Sequence, residues 1–354
     1  MSAAVRQRRP LLASFGDWLG GPLRVVRRFA PAVLLAVLVA LAFPFSAMSL
    51  WTGLQTDTPL AYQGLIPIVA FLTAVGQARR RPSYVWRDWV TEAIVAAPFL
   101  IAAVAMMYAG PRLGSIYFWL NRNDLLALAC FGVAVSIVVF GVGAVFRSWF
   151  AVLYLFLLWP APYRDSLAGI VDTITSATVV SLEWLLQQAG VSSIVPLGSA
   201  VFQITGPSGA SVVGVDSPCS GASGIFGFLI IATPVLYLVS GRLTRKLGWL
   251  AGGIALLWLM NLLRIVVLFA IAARSGTDSS LFEWAHLSLG MVLFAIAMFV
   301  MTLVGYRLGF RFQSGPPAAM PSMLRIRSTR PASFSLVCVA LVALFLGHLN
   351  TGMV

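Results

Sequence analysis

Charge is scarce in this chain. Asp, Glu, Lys and Arg make up only 10% of the residues, against about 25% in an ordinary soluble domain. A soluble fold of this length has no way to bury a chain that is 60% hydrophobic, so a soluble globular protein is excluded. A bilayer accepts such a chain and demands helices, because every backbone polar group must be satisfied internally. Histidine occurs only as His286 and His348, which excludes a His-rich metal site. The cysteines, Cys130, Cys219 and Cys338, lie far apart with no paired spacing, so neither a zinc site nor a disulfide framework follows. No internal repeat or low-complexity segment is present.

What is plentiful is positive charge, with a net +13. The basic residues sit in short clusters between apolar runs, which is the layout of membrane-topology signals and not of a nucleic-acid interface. Residues 1–29 form a basic N-terminus. A span needs about 20 apolar residues, and on that rule spans are expected near 29–50, 62–78, 89–109, 124–145, 148–161, 220–240, 247–273, 281–306 and 332–349. The expected fold is an all-α polytopic membrane protein of about eight or nine transmembrane helices. The run 148–161 is the short one and ends in Trp159-Pro160-Ala161-Pro162. With the N-terminus inside, 19 of the 24 basic residues fall in inner segments and four (Arg112, Arg122, Arg164 and Arg274) in outer ones. That bias predicts a cytoplasmic N-terminus.

Residues 163–188 mix Arg164, Asp165, Asp172, Glu183, Gln187 and Gln188 with apolar residues. A crossing there would put the following cationic loops outside, so the segment reads as an amphipathic helix lying along the outer interface. Val191–Val215 alternates apolar residues around a Gly-Pro-Ser-Gly turn at 206–209, which predicts a short extracytoplasmic β-hairpin. The expected divisions are 1–29, the N-terminal transmembrane helices 30–145, a membrane core 146–311, a cytoplasmic linker 312–331 and a last helix 332–354.

Three groups of polar residues stand where a lipid-facing helix would not keep them. Asp216-Ser217-Pro218-Cys219-Ser220-Gly221 opens the 220–240 span. A helix N-terminus near Cys219 favours its thiolate, and Asp216 or Ser217 is placed to cap that helix. The competing reading is a structural cysteine in a tight Gly/Ser turn. Asn261 and Arg264 share a face inside the 247–273 span, and an arginine in hydrocarbon is costly enough to expect a function. Glu283 and His286 share a face near the outer end of the 281–306 span, where His286 suits a general base. The spans put Arg264 roughly 14 Å and His286 roughly 8 Å below the outer surface, at 1.5 Å per residue. A nucleophile, a base and a cation for an oxyanion form an acyl-transfer set.

Residues 146–306 resemble the exosortase/archaeosortase family of membrane transpeptidase-like enzymes. The resemblance rests on Pro-Cys-Ser-Gly at 218–221, Asn-Leu-Leu-Arg-Ile at 261–265 and His286 opening the next span, in that order. Leu-Trp-Pro-Ala-Pro at 158–162, followed by the amphipathic segment and hairpin, is similar too. The family usually carries an acidic residue two positions before the cysteine; here Ser217 stands there and Asp216 is one further back.

The resemblance implies a cysteine transpeptidase or protease at the outer face of a bacterial cytoplasmic membrane. Its implied substrates are exported proteins ending in a short motif, a hydrophobic helix and a basic tail. Cys219 would form a thioacyl enzyme and pass it to an acceptor nucleophile. Arg264 would stabilise the oxyanion, and His286 would activate Cys219 or protonate the leaving amine. Asn261, Ser220, Gly221, Asp216 and Glu283 are the supporting residues. No cofactor or metal is expected, membrane lipid is an expected partner, and nucleic acid is not. The alternatives are a polytopic transporter with Asn261 and Arg264 as its site, or a noncatalytic assembly factor for surface protein or polysaccharide export.

Overall fold

The computed structural model describes residues 30–55, 60–80, 89–188, 193–198, 200–206, 209–215, 219–312 and 330–351. The expectations for the basic N-terminus, for most of the linker after residue 312 and for Asp216 lie outside the described residues.

The N-terminal half is built around α5 (Asn123–Phe140). Its Ala, Leu, Val and Ile residues are apolar on every face, and a helix of that kind belongs in a core. Most of them are buried. Helix α4 (Trp89–Leu120) precedes it and departs from helical backbone at Gly114. On the other side α1 (Ala30–Ala42) and α2 (Pro44–Gly53) meet at a bend of 99°. The last helix, α12 (Arg330–Thr351), locks that bend. Asn350 Oδ1 accepts from the amides of Phe45 and Ser46 at 2.8 and 3.3 Å, and its Nδ2 donates to Ser46 Oγ at 3.2 Å. The side chain thereby satisfies amides at the start of α2 that have no helical partner.

The rest of the chain carries the site. A 3-10 turn (Ala61–Leu65) leads into α3 (Ile66–Arg80). The short helices α6 (Val142–Arg147) and α7 (Trp149–Leu155) lead to α8 (Arg164–Gln188). A sheet of β1 (Ile194–Gly198), β2 (Val201–Gly206) and β3 (Gly209–Gly214) follows. Then come α9 (Ala222–Leu238), α10 (Leu243–Ser275) and α11 (Ser280–Arg307), of which α10 and α11 form a helical hairpin. At the far end β4 (Val239–Ser240) pairs with β5 (Arg311–Phe312), and Lys246 Nζ donates to the carbonyls of Leu236 and Val239.

Five features differ from what the sequence suggests. Among the described residues six helices are long and apolar enough to cross a membrane, or seven if α1 and α2 count as one bent span, instead of eight or nine. The runs 62–78, 148–161 and 220–240 fold as helices of 10–17 residues, shorter than a full crossing needs. The run 89–109 continues without a loop to Leu120, so Arg112 lies in the helix. The predicted hairpin is a three-stranded antiparallel sheet in the order β1-β2-β3, with Gly206 opposite Gly209 where the turn is expected.

The fifth difference concerns α8. It is itself long and apolar enough to span, where the sequence suggests an interfacial helix, and it packs against α10. Thr178 meets the Trp258 indole, and a turn or two further on Leu182 and Leu186 share a buried cluster with Ile265 and Phe269. Its polar residues suggest an interfacial helix; the small and apolar residues between them supply the packing face.

Candidate active site

Cys219 lies in the turn between β3 and α9, half-buried against the cluster of Leu182, Phe202, Val215 and Ile265. The turn is pinned by its backbone carbonyls. Asn261 Nδ2 donates to the Cys219 carbonyl at 2.9 Å. The next carbonyl, of fully buried Ser220, lies 3.1 Å from the Thr178 hydroxyl, which also accepts from the Trp258 indole at 3.0 Å. Ser220 Oγ accepts weakly from the Ala222 amide at 3.4 Å.

Gly221 then turns the chain into α9 with φ +87, a left-handed conformation that glycine adopts at no steric cost. A Cβ there would stand 2.8 Å from the Asn261 Cγ. Glycine is needed twice over: for the backbone angle, and so that α10 can approach close enough for Asn261 to reach the cysteine carbonyl.

Arg264 lies one turn beyond Asn261 on α10. Its Nη2 donates to the His286 carbonyl at 3.0 Å. The guanidinium lies against Gly290, where a Cβ would come within 3.3 Å of Cζ and Nε. Its Nε is buried and has no hydrogen-bond partner. A buried N–H without an acceptor is costly.

His286 is half-buried in the second turn of α11, and its ring lies 6.2 Å from that of Phe282 at 27°. The start of α11 is set by Ser279, whose Oγ accepts from the Phe282 amide at 3.2 Å, the usual service of a serine N-cap. Glu283 is exposed, so of the two residues three apart it is His286 that turns toward the bundle.

The structure thus brings Cys219, Asn261, Arg264 and His286 to the end of the bundle that carries the sheet. Arg264 lies well inside a long helix. Helix α10 is 33 residues long, or roughly 50 Å, against about 30 Å of hydrocarbon. Its turns beyond Arg264, at Ile265, Phe269 and Ala272, are buried against the sheet and α8. Protein covers one face of that end of the helix, while Leu263 and Ala270 on other faces are exposed.

Sequence reasoning misses Thr178, Trp258 and Gly290. A threonine, a tryptophan and a glycine in apolar helices carry no signal until their neighbours across the bundle are known. Elsewhere in the bundle Cys130 is buried in α5, and Asp124 is buried and paired with Arg122 at 3.2 Å.

A helical membrane bundle with a small sheet over a Cys, Asn, Arg and His cluster is the class that fold and site define. The family model described as transmembrane exosortase (Exosortase_EpsH) matches residues 58–303, and the chain belongs to that family. The match begins well before residue 146, where the resemblance in sequence starts, and leaves α1, α2 and α12 outside. No curated protein and no solved structure gives a match.

Proposed function

We propose that the chain is a cysteine transpeptidase or protease that cleaves the C-terminal sorting segment of exported proteins at the outer face of a bacterial cytoplasmic membrane. The observation that carries this reading is the buried, unpartnered Nε of Arg264, one turn from the Asn261 that holds the Cys219 carbonyl. A cation one helical turn from the residue that holds a candidate nucleophile's turn is suited to stabilising an oxyanion in acyl transfer.

In the proposed reaction the Cys219 thiol gives its proton to His286, and the sulfur attacks the carbonyl carbon of the scissile peptide bond. Arg264 stabilises the oxyanion. The C–N bond breaks as His286 returns the proton to the leaving amine, and a thioester remains on Cys219. An acceptor amine or water then attacks the thioester carbon, gives up a proton and restores the thiol. Membrane lipid surrounds the bundle, and the exported protein arrives from the sheet side.

The orientation rests on charge. Arg242, Arg245, Lys246, Arg307 and Arg311 lie at the end of the bundle opposite the sheet, around β4 and β5. Clustered Lys and Arg mark the cytoplasmic side, which leaves the sheet and Cys219 outside. Lys246 and Arg264 are separated by roughly 27 Å of helix, close to the hydrocarbon thickness. Arg264 therefore falls at the outer boundary.

The test uses a co-expressed exported reporter that ends in an extended segment, one apolar helix and a basic tail. Wild-type protein releases the tail, and Cys219→Ala abolishes release. A hydroxylamine-sensitive adduct on Cys219 is expected during turnover. Unchanged release by Cys219→Ala overturns the nucleophile assignment.

A further inference from the structure

We propose that the outer edge of β3 is a docking strand for the extended peptide segment that precedes the bond attacked by Cys219. The inference rests on the peptidase reading above and adds how the substrate is held.

The free groups follow from the ladder. The Val215 amide donates to the Ala200 carbonyl at 2.8 Å. Antiparallel partners alternate between hydrogen-bonded and non-hydrogen-bonded pairs. With Phe202 opposite Val213 and Ile204 opposite Ser211, Val213 and Ser211 bond to β2. Ala210, Val212 and Gly214 turn their N–H and C=O groups away from it. Among the described residues nothing takes those groups up. All three residues are exposed, Val212 at 65%. A Cβ on Gly214 would meet nothing within 4 Å, so the sheet face at that end of the strand is open.

The other edge of the sheet is closed to pairing. The Thr205 amide donates to the Ser193 carbonyl at 2.7 Å, which makes Ile194 and Pro196 the outward positions of β1. Pro196 has no N–H to offer, and the register slips between Pro196 and Gly198. Proline and bulges are how sheets protect an edge. Strand β3 has no proline, no charge and no bulge, so one edge is blocked and the edge leading to Cys219 is left open.

Direction supports the same occupant. The Thr277 hydroxyl, just past the end of α10, donates to Ser211 Oγ at 3.2 Å. Phe202, opposite Val213, lies 5.3 Å from the Phe269 ring, and the Cys219 carbonyl reaches Asn261. Strand β3 therefore descends α10 from its C-terminal end toward the cysteine. A peptide paired parallel to β3 runs from the sheet toward Cys219, which is the direction of an exported chain entering the membrane at its C-terminal helix. In strand addition the main-chain bonds supply affinity and alternate side chains supply specificity.

The test combines two variants with the reporter described above. Val212→Pro removes an outward N–H that the ladder does not use. Reporter release is expected to fall about tenfold, while Cys219 still reacts with a small maleimide at the wild-type rate. Release at the wild-type rate overturns the docking strand and leaves the nucleophile assignment standing, since that assignment is decided by Cys219→Ala. Because proline can also disturb the sheet, a second measurement uses Val212→Cys in a protein with its native cysteines replaced. Single cysteines are scanned along the reporter's extended segment. Disulfides at every second position are expected; uniform crosslinking, or none, overturns the proposal.

Discussion

Gly221 and Asn261 compete for one small volume: a Cβ on Gly221 would stand 2.8 Å from the Asn261 Cγ. The contact ties the turn that carries Cys219 to the middle of α10. Because Gly221 also has φ +87, an L side chain there meets both backbone strain and a clash. Gly221→Ala is expected to lower reporter release by roughly tenfold or more, since left-handed backbone alone costs about 1–2 kcal/mol. The check is release rate per molecule of accumulated protein; wild-type rates would show that the turn yields.

Thr178→Val keeps the shape of the side chain and removes its hydroxyl. The Trp258 indole N–H then loses its acceptor in a buried site, and the Ser220 carbonyl loses one contact. Each buried polar group left unpaired costs about 1–3 kcal/mol. A lower melting temperature of the detergent-solubilised protein is expected, together with faster labelling of Cys219 as its turn loosens.

Arg264→Lys keeps the charge and loses the planar fork. A lysine has no Nε–H in the arginine geometry, and it cannot serve the His286 carbonyl and a second acceptor in the same way. Release is expected to fall by about a hundredfold, the range seen for loss of one preorganised oxyanion donor, with little change in melting temperature. Activity near wild type in Arg264→Lys would reduce the residue to a simple countercharge.

Asn350→Ala tests a part of the protein that lies outside the family match. It leaves the amides of Phe45 and Ser46 without their acceptor. Melting temperature is expected to drop by an amount corresponding to about 1–3 kcal/mol, while Cys219 labelling and reporter release stay as in wild type. A selective loss of release would tie α12 to the reaction.

Much of the candidate site is legible in the sequence. Arg264 stands out because an arginine in an apolar run is expensive, and Asn261 because it shares the arginine's face. Asp216 is a sequence candidate that lies outside the described residues, and Glu283 proves exposed. Thr178, Trp258 and Gly290 leave no trace, because each is ordinary in its own helix and acquires its role from a neighbour many residues away. The third strand of the sheet escapes notice because Ile194–Gly198 is short and contains proline, which reads as a loop.

Composition by itself determined that this is a helical membrane protein, because a chain so poor in charge has no other solvent. Loop charges assigned an expected direction to the helices, and residue order along the chain pointed to the family. Tertiary structure decided the rest. It showed that α8 packs against α10, that one face of the end of α10 is covered by protein, and that Asn261 holds the Cys219 carbonyl while Arg264, a turn away, holds that of His286. Those facts depend on which helix faces meet, and periodicity within a helix describes a face without saying what covers it.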